Sequence, residues 1–246
     1  MTCAIEARGL RFSYDGGRPA LAGVDLQVQH GERIAVLGPN GAGKTTLMLH
    51  LNGLLTGDGQ LAVAGIDARR ARRRELCARV GLVFQDPDDQ LFMPTVGEDV
   101  AFGPRNLGLA EHVVATRVAG ALGAVGMRGS EDRAPHTLSV GQRRRVAIAS
   151  VLAMEPELLV LDEPSANLDP RSRRELLEVL DRVERTLVVV THDLPFAAQL
   201  CDRAVVLSAG RIVADGACLE VLADGALLAD HDLELPAGFD LARVAA

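Results

Sequence analysis

No stretch of the sequence approaches the roughly 18 consecutive apolar residues of a membrane-spanning helix. The apolar run from Val146 to Met154 is short and is interrupted by Ser150. The first residues, Met1 to Arg8, lack the basic start and apolar core of a secretory signal. The expectation is a cytosolic chain that reaches a membrane only through a partner. Positive charge is not in excess: 26 Lys and Arg stand against 33 Asp and Glu, a formal net charge of -7. That balance argues against general nucleic-acid binding, so nucleic acid is not expected as a partner. Cys3, Cys77, Cys201 and Cys218 form no C-x-x-C pair, and the six histidines are equally scattered. Reduced core cysteines are favoured over a metal or redox site. No His/Cys/Asp cluster has metal-ligand spacing. Tryptophan is absent, Tyr14 is the single tyrosine, and no internal repeat or low-complexity segment occurs.

What remains is 246 residues of ordinary composition, 48% hydrophobic and 24% charged, enough for one domain with a small appendage. Leu10, Phe12 and Tyr14 alternate with other residues, as do Val24, Leu26 and Val28, and both runs read as strands around an Asp15-Gly16-Gly17 turn. Arg33 to Leu37 reads as a buried parallel strand. A helix is expected from Lys44 to Leu55, a basic helix from Arg69 to Ala78, and a strand from Val80 to Phe84. Several helices should fill residues 95 to 154. Strand–helix alternation then returns, with strands at Leu158 to Leu161, Leu187 to Val190 and Val205 to Leu207, a helix from Pro170 to Val183, and a hairpin turn at Ala209-Gly210. This pattern predicts an α/β fold with a largely parallel sheet and helices on both faces.

Two segments carry chemistry. Gly38-Pro39-Asn40-Gly41-Ala42-Gly43-Lys44-Thr45, followed by Thr46, matches G-x-x-x-x-G-K-[ST] between a predicted strand and a helix. Backbone N–H groups of such a loop can surround phosphate oxygens, and the helix N-terminus adds partial positive charge. Lys44 would supply a full charge to the β/γ-phosphates, and the Thr45 hydroxyl is suited to Mg²⁺. The second segment, Leu158-Leu159-Val160-Leu161-Asp162-Glu163, is an apolar strand ending in two acids at the sheet edge where ligands bind. Asp162 is the candidate Mg²⁺ holder and Glu163 the candidate base for an attacking water.

Further motifs make the sequence resemble the ABC-type ATPases. Leu138-Ser139-Val140-Gly141-Gln142 is similar to that family's signature, and Gln85 after Val83-Phe84 looks like its Q-loop. Ser165 to Asp169 resembles the D-loop and Thr191-His192-Asp193 the H-loop, while Tyr14 sits where the family stacks an aromatic ring on adenine. The resemblance covers about residues 5 to 215. It implies a P-loop NTPase cassette with a mostly parallel sheet core, an N-terminal antiparallel β subdomain and an α-helical signature subdomain at about 86–152. The ABC ATPase domain would then occupy 1–222 and a short C-terminal tail 223–246. It also implies ATP and Mg²⁺ as ligands, with Thr45, Gln85 and Asp162 around the metal. Glu163, His192 and Gln85 would be catalytic. Ser139, Val140, Gly141 and Gln142 would act in trans on a nucleotide held by a second ATPase subunit, and Asp169 would link the two sites. Val140 stands where glycine is usual, and a β-branched side chain resists φ > 0 and close approach. Asn167 replaces a frequent D-loop glycine, and Asn tolerates left-handed geometry.

Gly81 to Phe92, Pro94-Thr95-Val96 and Asp99 to Pro104 resemble the ATPases of energy-coupling-factor importers. His50 to Leu55 and Leu233-Glu234-Leu235-Pro236 look most like the cobalt-importer subunit, with nickel or vitamin importers as the alternative. The resemblance implies an integral-membrane scaffold subunit docking near Gln85 to Gly103, a substrate-binding membrane subunit reached indirectly, and a place on the cytoplasmic face of the membrane. Val96, Val100, Ala101 and Phe102 are expected to form an apolar docking stripe. A soluble, non-transport ABC ATPase is the reading of another class.

Overall fold

The computed structural model describes residues 3–244. In chain order the elements are β1 (Cys3–Ser13), β2 (Pro19–Gln29), β3 (Arg33–Leu37), α1 (Lys44–Leu51), β4 (Asp58–Val63), β5 (Ile66–Asp67), α2 (Arg73–Arg79) and β6 (Val80–Val83). Then follow α3 (Val96–Asn106), α4 (Glu111–Ala124), α5 (Val140–Leu152), β7 (Leu158–Asp162), α6 (Pro170–Asp181), β8 (Thr186–Val190) and α7 (Leu194–Leu200). β9 (Arg203–Ser208), β10 (Arg211–Ala217), α8 (Cys218–Ala223) and α9 (Gly225–Asp230) complete the list.

The elements form two sheets. One is antiparallel, in the order β2-β1-β4-β5; the other runs β10-β9-β3-β8-β7-β6. Within the second sheet β9, β3, β8, β7 and β6 pair in parallel and β10 closes the edge as an antiparallel hairpin. Period-two alternation splits the parallel strands between two cores. Ala35, Leu37, Leu159, Leu161, Leu187 and Val189 face the core built with α3 to α8. Ile34, Val36, Leu158, Val160, Val188 and Val190 face the core shared with α1 and the antiparallel sheet. Strands buried on both faces must be apolar throughout, which is why β7 and β8 are continuous hydrophobic runs.

Two expectations are corrected. The first helix ends at Leu51 rather than Leu55, because Asn52 and Gly53 turn the chain and a Cβ on Gly53 would lie 2.7 Å from Leu76 Cδ1. The basic helix begins at Arg73, four residues late. Asp67 holds the preceding arginines in a turn, its side chain accepting from Arg69 N–H and its carbonyl from Arg70 and Ala71 N–H. The stretch between α1 and α2, for which the sequence offered no reading, is strand: β4 pairs with β1 and β5 with β4. Residues after 222 are packed: Leu228 and Leu233 are buried in the helical core, with Leu235, Phe239, Leu241 and Val244 against it.

Candidate nucleotide site

The phosphate loop leaves β3 at the carboxyl edge of the parallel sheet and opens α1. Its glycines do two jobs. Gly38 and Gly43 take φ of 147° and 105°, where a side chain is strained. A Cβ at Gly38 would sit 2.1 Å from the Leu207 carbonyl oxygen, and one at Gly43 would sit 2.3 Å from that of Ala20. The loop is therefore wedged between β9 and the start of β2. Asn40 and Gly41 stay exposed, Pro39 half-buried and Ala42 buried. The Lys44 ammonium donates to the carbonyls of Gly38 (2.7 Å) and Pro39 (3.0 Å). Burial lowers its pKa, against the carboxylates of Glu163 and Asp162, which raise it. Thr45 is exposed on the first turn of α1, while Thr46 is buried, its hydroxyl 3.3 Å from the Tyr14 hydroxyl. Tyr14 is half exposed and meets Phe12 edge-on at 4.8 Å between ring centres. The ring is thus held by Phe12 and half of it stays accessible.

β7 delivers Asp162 and Glu163 beside this loop, both buried. Burial, reinforced by Glu163, pushes the Asp162 pKa up to about 6, although Lys44 and Arg144 pull it down. Asp162, Thr45 and Gln85 line one cavity of about 520 Å³ that also reaches Val140, Arg143 and Asn167. A hydroxyl, an amide and a carboxylate are the hard oxygen donors that Mg²⁺ prefers, so this set fits that ion.

Glu163 has φ of 43°, an uncommon left-handed position for a non-glycine residue. The turn aims its carboxylate at the loop after β8. There it accepts the Thr191 hydroxyl at 2.9 Å and the His192 N–H at 3.1 Å, and it lies 2.7 Å from His192 Nδ1. Thr191 is fully buried, and neither its role nor the left-handed Glu163 was visible in the sequence. The apolar run Leu187 to Val190 ending in a hydroxyl is the signal that could have singled Thr191 out. Asp193, next in the chain, caps α7 through Phe196 N–H and receives Ser165 Oγ (2.8 Å) and Arg173, joining the D-loop to the H-loop. Desolvation raises the Asp193 pKa, but the bonds from Arg173, Phe196 and Ser165 leave it lowered overall.

Ser139 and Gln142 form a capping box at the start of α5, Ser139 Oγ accepting Gln142 N–H and Gln142 Oε1 accepting Ser139 N–H. Val140 is the first residue of that helix and is absent from the positive-φ residues, so it needs no left-handed backbone. The concern over φ is thereby removed, and only its exposed side chain, 39% accessible, bears on close approach. Asn167 does take a left-handed φ of 60°. Asp169 caps α6 through Arg171 and Ser172 N–H, and its pKa is lowered, chiefly by the Ser172 hydroxyl.

The apolar stripe on α3 is not a surface. Val96, Val100 and Ala101 are buried in the helical core, and only Phe102 is exposed. It pairs edge-to-face with Phe92, which is 63% exposed, at 4.9 Å between ring centres.

Residues 21–166 match the family model for ABC transporters. The chain is 48% identical to the energy-coupling factor transporter ATP-binding protein EcfA of Methanothermobacter thermautotrophicus over 243 residues, spanning 96% of this chain and 78% of that one. In structure it resembles cbiO1 of Clostridium perfringens, part of the ABC transporter complex cbiONQ, with a TM-score of 0.84, 37% identity and coverage of 96% and 97%. It also resembles an ATP-binding cassette solved as a dimer in a post-hydrolysis state with ADP and Pi, with a TM-score of 0.76, 25% identity and coverage of 87% and 98%. The chain belongs to the ABC transporter family, as an ATP-binding and ATP-hydrolysing cassette of the energy-coupling-factor type whose hydrolysis is coupled to transport.

Proposed function

We propose that this chain powers import of a transition-metal ion, cobalt, working as a dimer of ATPase subunits beneath an integral-membrane scaffold on the cytoplasmic face of the membrane. The observation that carries the coupling is the exposed Phe92–Phe102 pair. It stands on the segment that begins at Gln85, so a docked helix would sit beside the nucleotide cavity, a helix-in-groove contact. Among the described residues no helix is long and apolar enough to cross a membrane, which leaves translocation to a partner. The cobalt assignment rests on His50 to Leu55 and Leu233 to Pro236, and the likeness to cbiO1 supports it.

In this reading Tyr14 faces the adenine, and residues 38–46 hold the phosphates. Thr45, Asp162 and Gln85 would hold Mg²⁺, which would neutralise charge on the transferring phosphoryl group. Glu163 accepts a proton from the attacking water at its carboxylate, and His192 orients that carboxylate and reaches toward the γ-phosphate. Ser139 to Gln142 offer a helix N-terminus to the nucleotide of the other subunit, and Asp169 stands between the two sites. Uptake of labelled Co²⁺ and Ni²⁺ in cells carrying or lacking the chain tests the solute. Co²⁺ uptake that depends on the chain and on Glu163 is expected, and undiminished uptake without the chain rejects the proposal.

A further inference from the structure

The segment from Phe84 to Gln90 carries Gln85 and is fastened to α5 at three points. At its start, the Phe84 carbonyl accepts from Arg144 Nη1 at 3.1 Å, and the Phe84 N–H donates to Gln90 Oε1 at 3.3 Å. At its end, Gln90 Nε2 donates to the Ala147 carbonyl (2.8 Å) and to Ser150 Oγ (3.0 Å). Between them, Asp88 forms an ion pair with Arg143 at 3.0 Å. Residues 143, 147 and 150 follow i, i+4, i+7 spacing, so one face of the helix makes the grip. Gln90 thus uses both ends of its amide, closing the loop on itself and tying it to the helix that begins at Ser139. Arg144 is 1% exposed, an unusual place for a guanidinium, and also reaches the Ala166 carbonyl of the D-loop at 3.4 Å.

We propose that Gln90 is a positioning residue, backed by Arg144, that makes Gln85 and the Ser139–Gly141 helix start one rigid unit. Leucine at 90 would keep the bulk but leave Phe84 N–H without its partner and free the loop from α5. Displacements on the order of 1 Å in a positioning group cost up to about 10²-fold in rate.

The inference rests on reading Gln85 as a participant in hydrolysis, and the test separates the two. ATP turnover and ATP affinity of the full chain are measured for the parent, Gln85→Ala, Gln90→Leu and the double variant. Gln90→Leu is expected to lower kcat roughly 10- to 100-fold with ATP affinity within about twofold. In the Gln85→Ala background it should add less than about twofold. The proposal is overturned by unchanged kcat in Gln90→Leu, or by an equal further loss in the Gln85→Ala background. No loss in Gln85→Ala alone rejects the reading of Gln85 and the proposal with it. Gln90→Glu, with the same shape and no amide donor, decides the matter by the same criteria should the leucine variant fold poorly.

Discussion

Glu163 concentrates most of the site's physics. Its left-handed backbone stores strain on the order of 1–3 kcal/mol, held by the buried Thr191 hydroxyl and the His192 amide. Two predictions belong here. Glu163→Gln keeps size but exchanges one accepting oxygen for an amide donor and removes the proposed base, so kcat should fall roughly 10²–10⁴-fold with ATP still bound. Turnover and nucleotide titration check this, and parent-like turnover excludes Glu163 as the base. Thr191→Val keeps shape but removes the donor to Glu163 and the acceptor for Asp193 N–H at 3.0 Å. It should lower kcat roughly tenfold and stability by about 1 kcal/mol. A stability loss without a rate loss would make Thr191 merely structural. Lys44, Asp162 and Glu163 were legible because phosphate and metal chemistry demands those residue types at the ends of apolar strands. Thr191 was not, because a hydroxyl after a strand looks like any turn residue until the chain folds Glu163 against it.

At the scale of elements, patterning named the strands with a continuous apolar run or a clear alternation, β1 and β2 among them, and missed β4 and β5. β4 has only Leu61 and Val63 fully inside, so Asp58-Gly59-Gln60 hid a strand whose existence depends on β1 alongside it. The stripe on α3 shows the converse, since periodicity detects a buried face without saying what buries it. Gly141 is a third case. The resemblance assigns its backbone to a phosphate, yet the structure gives a second reason for glycine: a Cβ there would lie 2.6 Å from Ser172 Oγ. That hydroxyl bonds Asp169 at 2.6 Å, so α5 packs against the cap of α6. Gly141→Ala is expected to destabilise the fold by about 1–3 kcal/mol through overpacking. Adding Ser172→Gly should recover part of the loss despite the cost of a helical glycine of about 1 kcal/mol. Thermal unfolding of the single and double variants measures both, and additive losses would remove Ser172 from the account. On the outer surface, Phe92→Ser with Phe102→Ser should leave ATP hydrolysis by the free chain within about twofold while abolishing co-purification with a membrane partner. Retained co-purification would move the docking site elsewhere.

At the scale of the molecule, one chain holds the phosphate loop of one site, and in the proposed arrangement the N–H groups of its own helix start at Ser139 are directed to a phosphate held by the other subunit. Completing the site with a second copy makes association depend on ATP. Slow hydrolysis should then trap the dimer, so Glu163→Gln with ATP and Mg²⁺ is expected to sediment as a dimer and the same protein with ADP as a monomer. In that proposed arrangement Val140 would set how tightly the halves meet. Its backbone is ordinary helix, so Val140→Gly removes only the exposed side chain, at a helix-propensity cost below about 1 kcal/mol. If the isopropyl group holds the two surfaces apart, that variant dimerises at lower ATP concentration in the Glu163→Gln background. If it packs against the opposing phosphate loop, dimerisation weakens instead. Closer approach brings helix N–H groups and phosphate oxygens together in a site of falling dielectric, where charge-assisted bonds gain more than the lost apolar contact removes. Tighter association is therefore the expected result; dimerisation that needs more ATP would show that the valine packs in the closed interface, and an unchanged ATP requirement that its side chain is immaterial there.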